Sequence, residues 1–73
     1  MEDFINYFAE QFDETEWSEF NSETLFKDLD EWDSMTALSI IAMVDEEYEK
    51  TINGDDIKSA LTIEDLFRAI ESK

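Results

Sequence analysis

Residues 35–48 read Met35-Thr36-Ala37-Leu38-Ser39-Ile40-Ile41-Ala42-Met43-Val44-Asp45-Glu46-Glu47-Tyr48, and this stretch decides the fold. Met35, Leu38, Ile41, Ala42, Val44 and Tyr48 recur at helical spacing, with Ile40 and Met43 at the sides. The pattern predicts a central helix from Met35 to about Glu49, apolar over most of its circumference until Asp45. Such a helix is expected to be enclosed by neighbours along roughly its first three turns, while its acidic end reaches solvent. Ser34 stands at the junction between an acidic loop and this apolar run, and so opens the helix.

Working outward from that helix, Phe26-Lys27-Asp28-Leu29-Asp30-Glu31-Trp32 reads as a loop with its large side chains tucked in. The whole stretch from Asp13 to Asp33 is acidic and lacks helical periodicity, although Trp17 and Phe20, three apart, suggest a short helical turn. A loop this long needs anchors, and Trp17, Phe20, Leu25, Phe26, Leu29 and Trp32 are expected to pack it over the rest of the chain. Before it, Phe4, Phe8 and Phe12 repeat every four residues with Ile5 and Ala9 beside them, which predicts an amphipathic first helix from Asp3 to Phe12. Beyond the central helix, Asn53-Gly54 marks a turn and Asp55 to Ala60 forms at most a short third helix. Thr62 followed by Asp65 is a capping box that starts a last helix, with Ile63, Leu66, Phe67 and Ile70 as its buried stripe. Zero prolines and one glycine argue against sheet corners and tight hairpins. The expected fold is therefore all-α, a small four-helix bundle with three longer helices and one short one, formed by residues 1–73 as one unit.

A chain of 73 residues buries only about 60% of the surface that its unfolded form exposes. Its core is thin, its net stability is a few kcal/mol, and it has no room for a deep catalytic cleft. With 21 acidic residues against five basic ones the formal charge is −16. Nucleic acid is excluded as a partner, because phosphate contacts need clustered Lys and Arg. The same field favours fast, loose docking to basic protein surfaces, and its self-repulsion makes added salt or a divalent cation stabilising. No cysteine or histidine is present, so neither a thiolate metal site nor a His-based catalytic constellation can be built, and enzymatic activity is not expected. Asp28, Asp30 and Asp33 superficially suggest a calcium loop, yet Asp33 occupies the required glycine position and Ser39 the closing glutamate position. The polar face of the first helix is acidic, which disfavours lipid binding, and no apolar run approaches membrane-spanning length. Met1-Glu2-Asp3 is acidic where a signal sequence is basic. A cytoplasmic monomer is the default expectation.

Ser34 carries the functional argument. The first N–H groups of a helix lack internal partners and the dipole is positive there, so a phosphate ester on this hydroxyl would sit in a favourable field. Leu29-Asp30-Glu31-Trp32-Asp33-Ser34-Met35, followed by a helix ending Asp45-Glu46-Glu47-Tyr48, resembles the acyl carrier protein family, whose Asp-Ser-Leu or Asp-Ser-Met serine carries a 4'-phosphopantetheine arm. The resemblance runs from about Phe4 to Ile70. It implies that a phosphopantetheinyl transferase attaches the arm of coenzyme A to Ser34. It also implies that Asp33 helps to orient the modifying enzyme and its metal, and that Met35 is the exposed apolar residue beside the arm. Leu38, Ile41, Ala42, Ile63 and Leu66 are then candidates to shelter an acyl chain between the central and last helices. Asp45, Glu46 and Glu47 become the docking site for basic patches on acyl-loading and acyl-transferring enzymes of fatty-acid, polyketide or related biosynthesis. The chain departs from the family's fatty-acid carriers at Glu31-Trp32, where a glycine is usual, at Thr36 and Ser39, where acids are usual, and at Lys58 on the short helix. An aminoacyl, D-alanyl or peptidyl carrier shares the serine motif and stays open. So does an acidic interaction module that imitates the charge of nucleic acid.

Overall fold

The computed structural model describes residues 2–73, and among them all regular structure is helical. Helix α1 is Glu2–Ala9, α2 is Ser34–Tyr48, α3 is Gly54–Ser59 and α4 is Ile63–Glu71. Two single 3-10 turns, Trp17–Glu19 and Phe26–Asp28, punctuate the long loop between α1 and α2. The four-helix, all-α expectation holds. Among the described residues no helix is long and apolar enough to cross a membrane. Met1, the first residue of the acidic N-terminal reading, lies outside the described residues.

The first helix ends sooner than its apolar period. After Ala9 the hydrogen bonds tighten from Glu10 N→Asn6 O (3.1 Å) to Gln11 N→Phe8 O (3.1 Å) and Phe12 N→Ala9 O (3.0 Å). This tighter turn closes the helix end and still delivers Phe12 to the core. Gly54 is the first residue of α3 and not a turn glycine, since no glycine adopts a positive φ. Asn53 before it is the N-cap, and its Oδ1 accepts from Asp56 N at 3.0 Å while Asp56 Oδ2 accepts from Asn53 N at 3.0 Å. The capping box that opens α4 is present too: Thr62 Oγ1 accepts from Asp65 N at 3.1 Å, and Asp65 Oδ2 accepts from Thr62 N at 3.2 Å.

Aromatic side chains hold these pieces together. Phe8 has its ring 5.5 Å from that of Phe12, 5.4 Å from Phe26, 6.1 Å from Phe20 and 6.5 Å from Trp32. Offset and edge-on ring pairs at these separations add to the area they bury. Phe4 joins α1 to α4 through Phe67 at 5.2 Å and to α2 through Tyr48 at 5.9 Å. Ile40, Met43 and Val44 of α2, Ile52 and Ile57 around α3, and Ile63, Leu66 and Ile70 of α4 complete the buried core.

Two further expectations need correction. Trp17 and Leu25 remain 53% and 52% exposed, so the long loop is anchored by Phe20 and Phe26, with Leu29 and Trp32 half-buried. The loop has a second fastening that substitutes for them: Thr24 O accepts from Ile63 N (3.2 Å) and Ser22 O from Glu64 N (3.0 Å), satisfying the first free donors of α4. Helix α2 is also not enclosed over its early turns. Ser34, Met35, Leu38, Ser39 and Ala42 face solvent, because the six-residue α3 is too short to cover that side.

Candidate functional site

Asp33 and Ser34 form the start of α2. Asp33 is in extended conformation as the N-cap, and its Oδ1 accepts hydrogen bonds from Thr36 N at 2.9 Å and Thr36 Oγ1 at 3.0 Å. The backbone donor of Thr36, followed by its hydroxyl, holds the Asp33 carboxyl below the usual carboxylate range, so it is ionised at neutral pH. Thr36 Oγ1 also lies 3.1 Å from Glu31 O, which ties the loop to the first turn of the helix. Ser34 is the first helical residue and is exposed. The capping interactions at this end are made by Asp33, so the serine hydroxyl is not consumed by structure.

The loop that presents this serine is organised by a residue to which the sequence assigned no role. The Glu31 carboxylate accepts from Asp13 N at 3.2 Å, Glu14 N at 2.9 Å and Thr15 Oγ1 at 2.6 Å, and also from Thr15 N. Three successive backbone donors around one carboxylate form an anion nest filled by the chain itself. The Thr15 hydroxyl is the leading cause that lowers the Glu31 pKa, with the backbone donors adding to it against the cost of desolvation. Nothing in the sequence foreshadows the pairing, which joins residues sixteen apart across an irregular segment.

Beside Ser34 lies an open groove of about 660 Å³. Trp32, Asp33 and Ser34 line it together with Ala37, Leu38 and Ile41 of α2, Gly54, Ile57 and Lys58 of α3, and Lys27 of the second 3-10 turn. Two of the expected pocket residues, Leu38 and Ile41, are therefore brought to the groove. The other three are not: Ala42 is solvent-exposed, and Ile63 and Leu66 are fully buried in the core. The groove runs between α2 and α3, whereas Ile63 and Leu66 of α4 are turned into the core and Tyr48 of α2 packs its ring 6.4 Å from that of Phe67. The groove-lining roles of Ile57, Gly54 and Lys27 depend on how α3 and the loop pack, and no local pattern announces them.

Met35 is 77% exposed and Leu38 64% exposed next to Ser34. One solvent-facing stripe of α2 thus runs from Ser34 through Met35, Leu38 and Ala42 to Asp45 and Glu46, with Glu47 exposed beside them. At 1.5 Å per residue the serine and the acidic cluster are about 17–20 Å apart along the axis. The acids sit at the negative end of the helix dipole, where they are unfavourable, and α2 has no basic residue in its last turn to offset them. Its C-cap, Glu49, adopts the left-handed conformation at φ 55°, ψ 35°. Both features lower stability at this end of α2.

No family model matches the chain, and no curated protein or solved structure matches it at a significant level.

Proposed function

We propose that this protein is a carrier whose Ser34 hydroxyl bears a 4'-phosphopantetheine arm and which presents acyl thioesters to partner enzymes. The observation that carries the reading is the position of Ser34: exposed, first in a 15-residue helix, and on the rim of a largely apolar groove. When attached, the arm supplies the thiol that this cysteine-free chain lacks. Attachment joins Ser34 Oγ to the pantetheine-side phosphorus of coenzyme A, breaks that phosphorus's bond to the nucleotide portion and passes the serine proton to a base on the transferase.

The chain's own residues fit that role. Asp33 fixes the turn by accepting from Thr36, and the remaining free donors at the start of α2 favour a phosphodiester on the adjacent side chain. Trp32, Ala37, Leu38, Ile41 and Ile57 offer the apolar wall along which cargo can lie, sheltered from water. Asp45, Glu46 and Glu47, which form no ion pair among the described residues and lie against the helix dipole, suit transient docking to basic partner surfaces. Met35 stands exposed between the serine and the partner and adapts to varied contacts. In this reading catalysis belongs to the partners and the isolated chain is inert.

Intact-protein mass after incubation with coenzyme A, magnesium and a broad-specificity phosphopantetheinyl transferase tests it, with Ser34→Ala alongside. One arm on the wild type and none on the variant is the expected result. A wild-type protein that remains unmodified, with helical circular dichroism in the same sample, would overturn the reading and favour an acidic interaction module.

A further inference from the structure

Of the five basic residues in this strongly acidic chain, Lys27 and Lys58 both line the groove beside Ser34. They come from elements distant in sequence, the Phe26–Asp28 turn and α3. The Lys27 ammonium donates to Lys58 O at 2.8 Å and clips the two elements together. The other basic side chains are engaged away from the groove: Arg68 pairs with Glu64 at 3.1 Å, Lys73 with Asp56 at 2.8 Å, and Lys50 donates to Lys73 O at 3.0 Å. Among the described residues neither Lys27 nor Lys58 forms an ion pair, despite the abundance of carboxylates. Asp33 also lines the groove, but its Oδ1 is occupied by Thr36.

Resting on the carrier reading, we propose that the groove is matched to an acyl cargo that ends in a carboxylate, a dicarboxylic half-thioester, and not to a plain hydrocarbon chain. Ala37, Leu38, Ile41 and Ile57 take the methylene segment by apolar burial. Lys27 and Lys58 take the terminal carboxylate at the rim, where apolar walls lower the dielectric and strengthen the pairing. A methyl-ended chain filling the same groove would crowd two ammonium groups without giving them a counter-charge.

The test loads Ser34 through the transferase with coenzyme A, octanoyl-coenzyme A or suberyl-coenzyme A and compares the melting temperatures of the three products. Suberyl should stabilise the fold more than octanoyl, and the excess should correspond to roughly fivefold tighter docking per lysine, the upper end for a partly exposed ion pair. Lys27→Gln with Lys58→Gln loses the Lys27 clip and so lowers the melting temperature of all three forms alike, but it should also remove the excess of suberyl over octanoyl measured within the same variant, and Lys27→Arg with Lys58→Arg should restore it. Equal stabilisation by suberyl and octanoyl would overturn this inference alone, since the arm is still attached. An excess of suberyl over octanoyl that survives in the glutamine variants would overturn the assignment of the cargo carboxylate to these lysines. Failure to add any arm to Ser34 would overturn the carrier reading and this inference with it.

Discussion

The carboxylate of Glu31 accepts a hydrogen bond from the Thr15 hydroxyl at 2.6 Å, closing the long loop on itself two residues before the Asp33 cap. Because Thr36 Oγ1 also reaches Glu31 O at 3.1 Å, the same residue fastens the loop both to its own beginning and to the first turn of α2. The presentation of Ser34 therefore depends on a carboxylate that lines no part of the groove.

Glu31→Gln should lower the melting temperature by a few degrees at neutral pH, because the amide cannot accept from all the donors that surround the carboxylate. The folded-state pKa of Glu31 lies below its ordinary value, so its stabilisation is complete above the ordinary carboxylate range and is lost as pH falls through the folded value. The gap between wild type and Glu31→Gln should hold near neutrality and close as pH falls below the ordinary carboxylate range. Thermal melts of both proteins across that range check it, and a gap that persists at the acid end would refute it.

Phe8→Ala should unfold the protein or nearly so. Phe8 is fully buried and its ring meets those of Phe12, Phe20, Phe26 and Trp32. Truncating such a residue costs about 3–5 kcal/mol, comparable to the whole stability of a domain this small. Urea titration followed by circular dichroism should show either no folded baseline or a midpoint shifted far downward with helical signal reduced.

Glu49→Gly should stabilise the fold. At φ 55° the glutamate side chain strains the α2 C-cap, a conformation that glycine adopts freely. The gain is about 0.5–1 kcal/mol after allowing for the added freedom of glycine in the unfolded chain. For a chain of this length that raises the melting temperature by roughly 2–8 °C. A fall in melting temperature would contradict the assignment.

Salt should stabilise the wild-type protein. Only two ion pairs are present among the described residues, both at the surface, whereas the net charge is −16. Screening therefore removes more repulsion than attraction. Raising ionic strength from about 0.01 M to about 0.15 M should increase the melting temperature by roughly 5 °C, and an unchanged or lower value across the series would count against this balance.

Helices announced by a strong local period were readable in the sequence. The run from Met35 to Tyr48 is helical from Ser34 onward, and the Thr62 and Asp65 box starts α4 where its residue types require. Local capping chemistry and periodicity need only neighbours within a turn or two, so they survive any packing. Of the misread features one is local, a capping box that reads as a turn, and the other depended on distant partners. Asn53-Gly54 looks like a turn until Asp56 is seen to complete a cap, and Leu25 looks like an anchor until backbone bonds from α4 fasten Thr24 and Ser22 in its place.

By itself the sequence determined the helical class, the apolar core from Phe4 to Ile70, the acidic character of the surface and the placement of Ser34 at the start of the central helix, because these follow from composition, spacing and local periodicity. Only the tertiary structure decided that α3 leaves one side of α2 open, that the groove joins α2 to Lys27 and Lys58, and that Glu31 gathers the donors of residues 13–15. Those arrangements bring together residues far apart in the chain, and which of them meet is set by how a small set of side chains can fill one shared core.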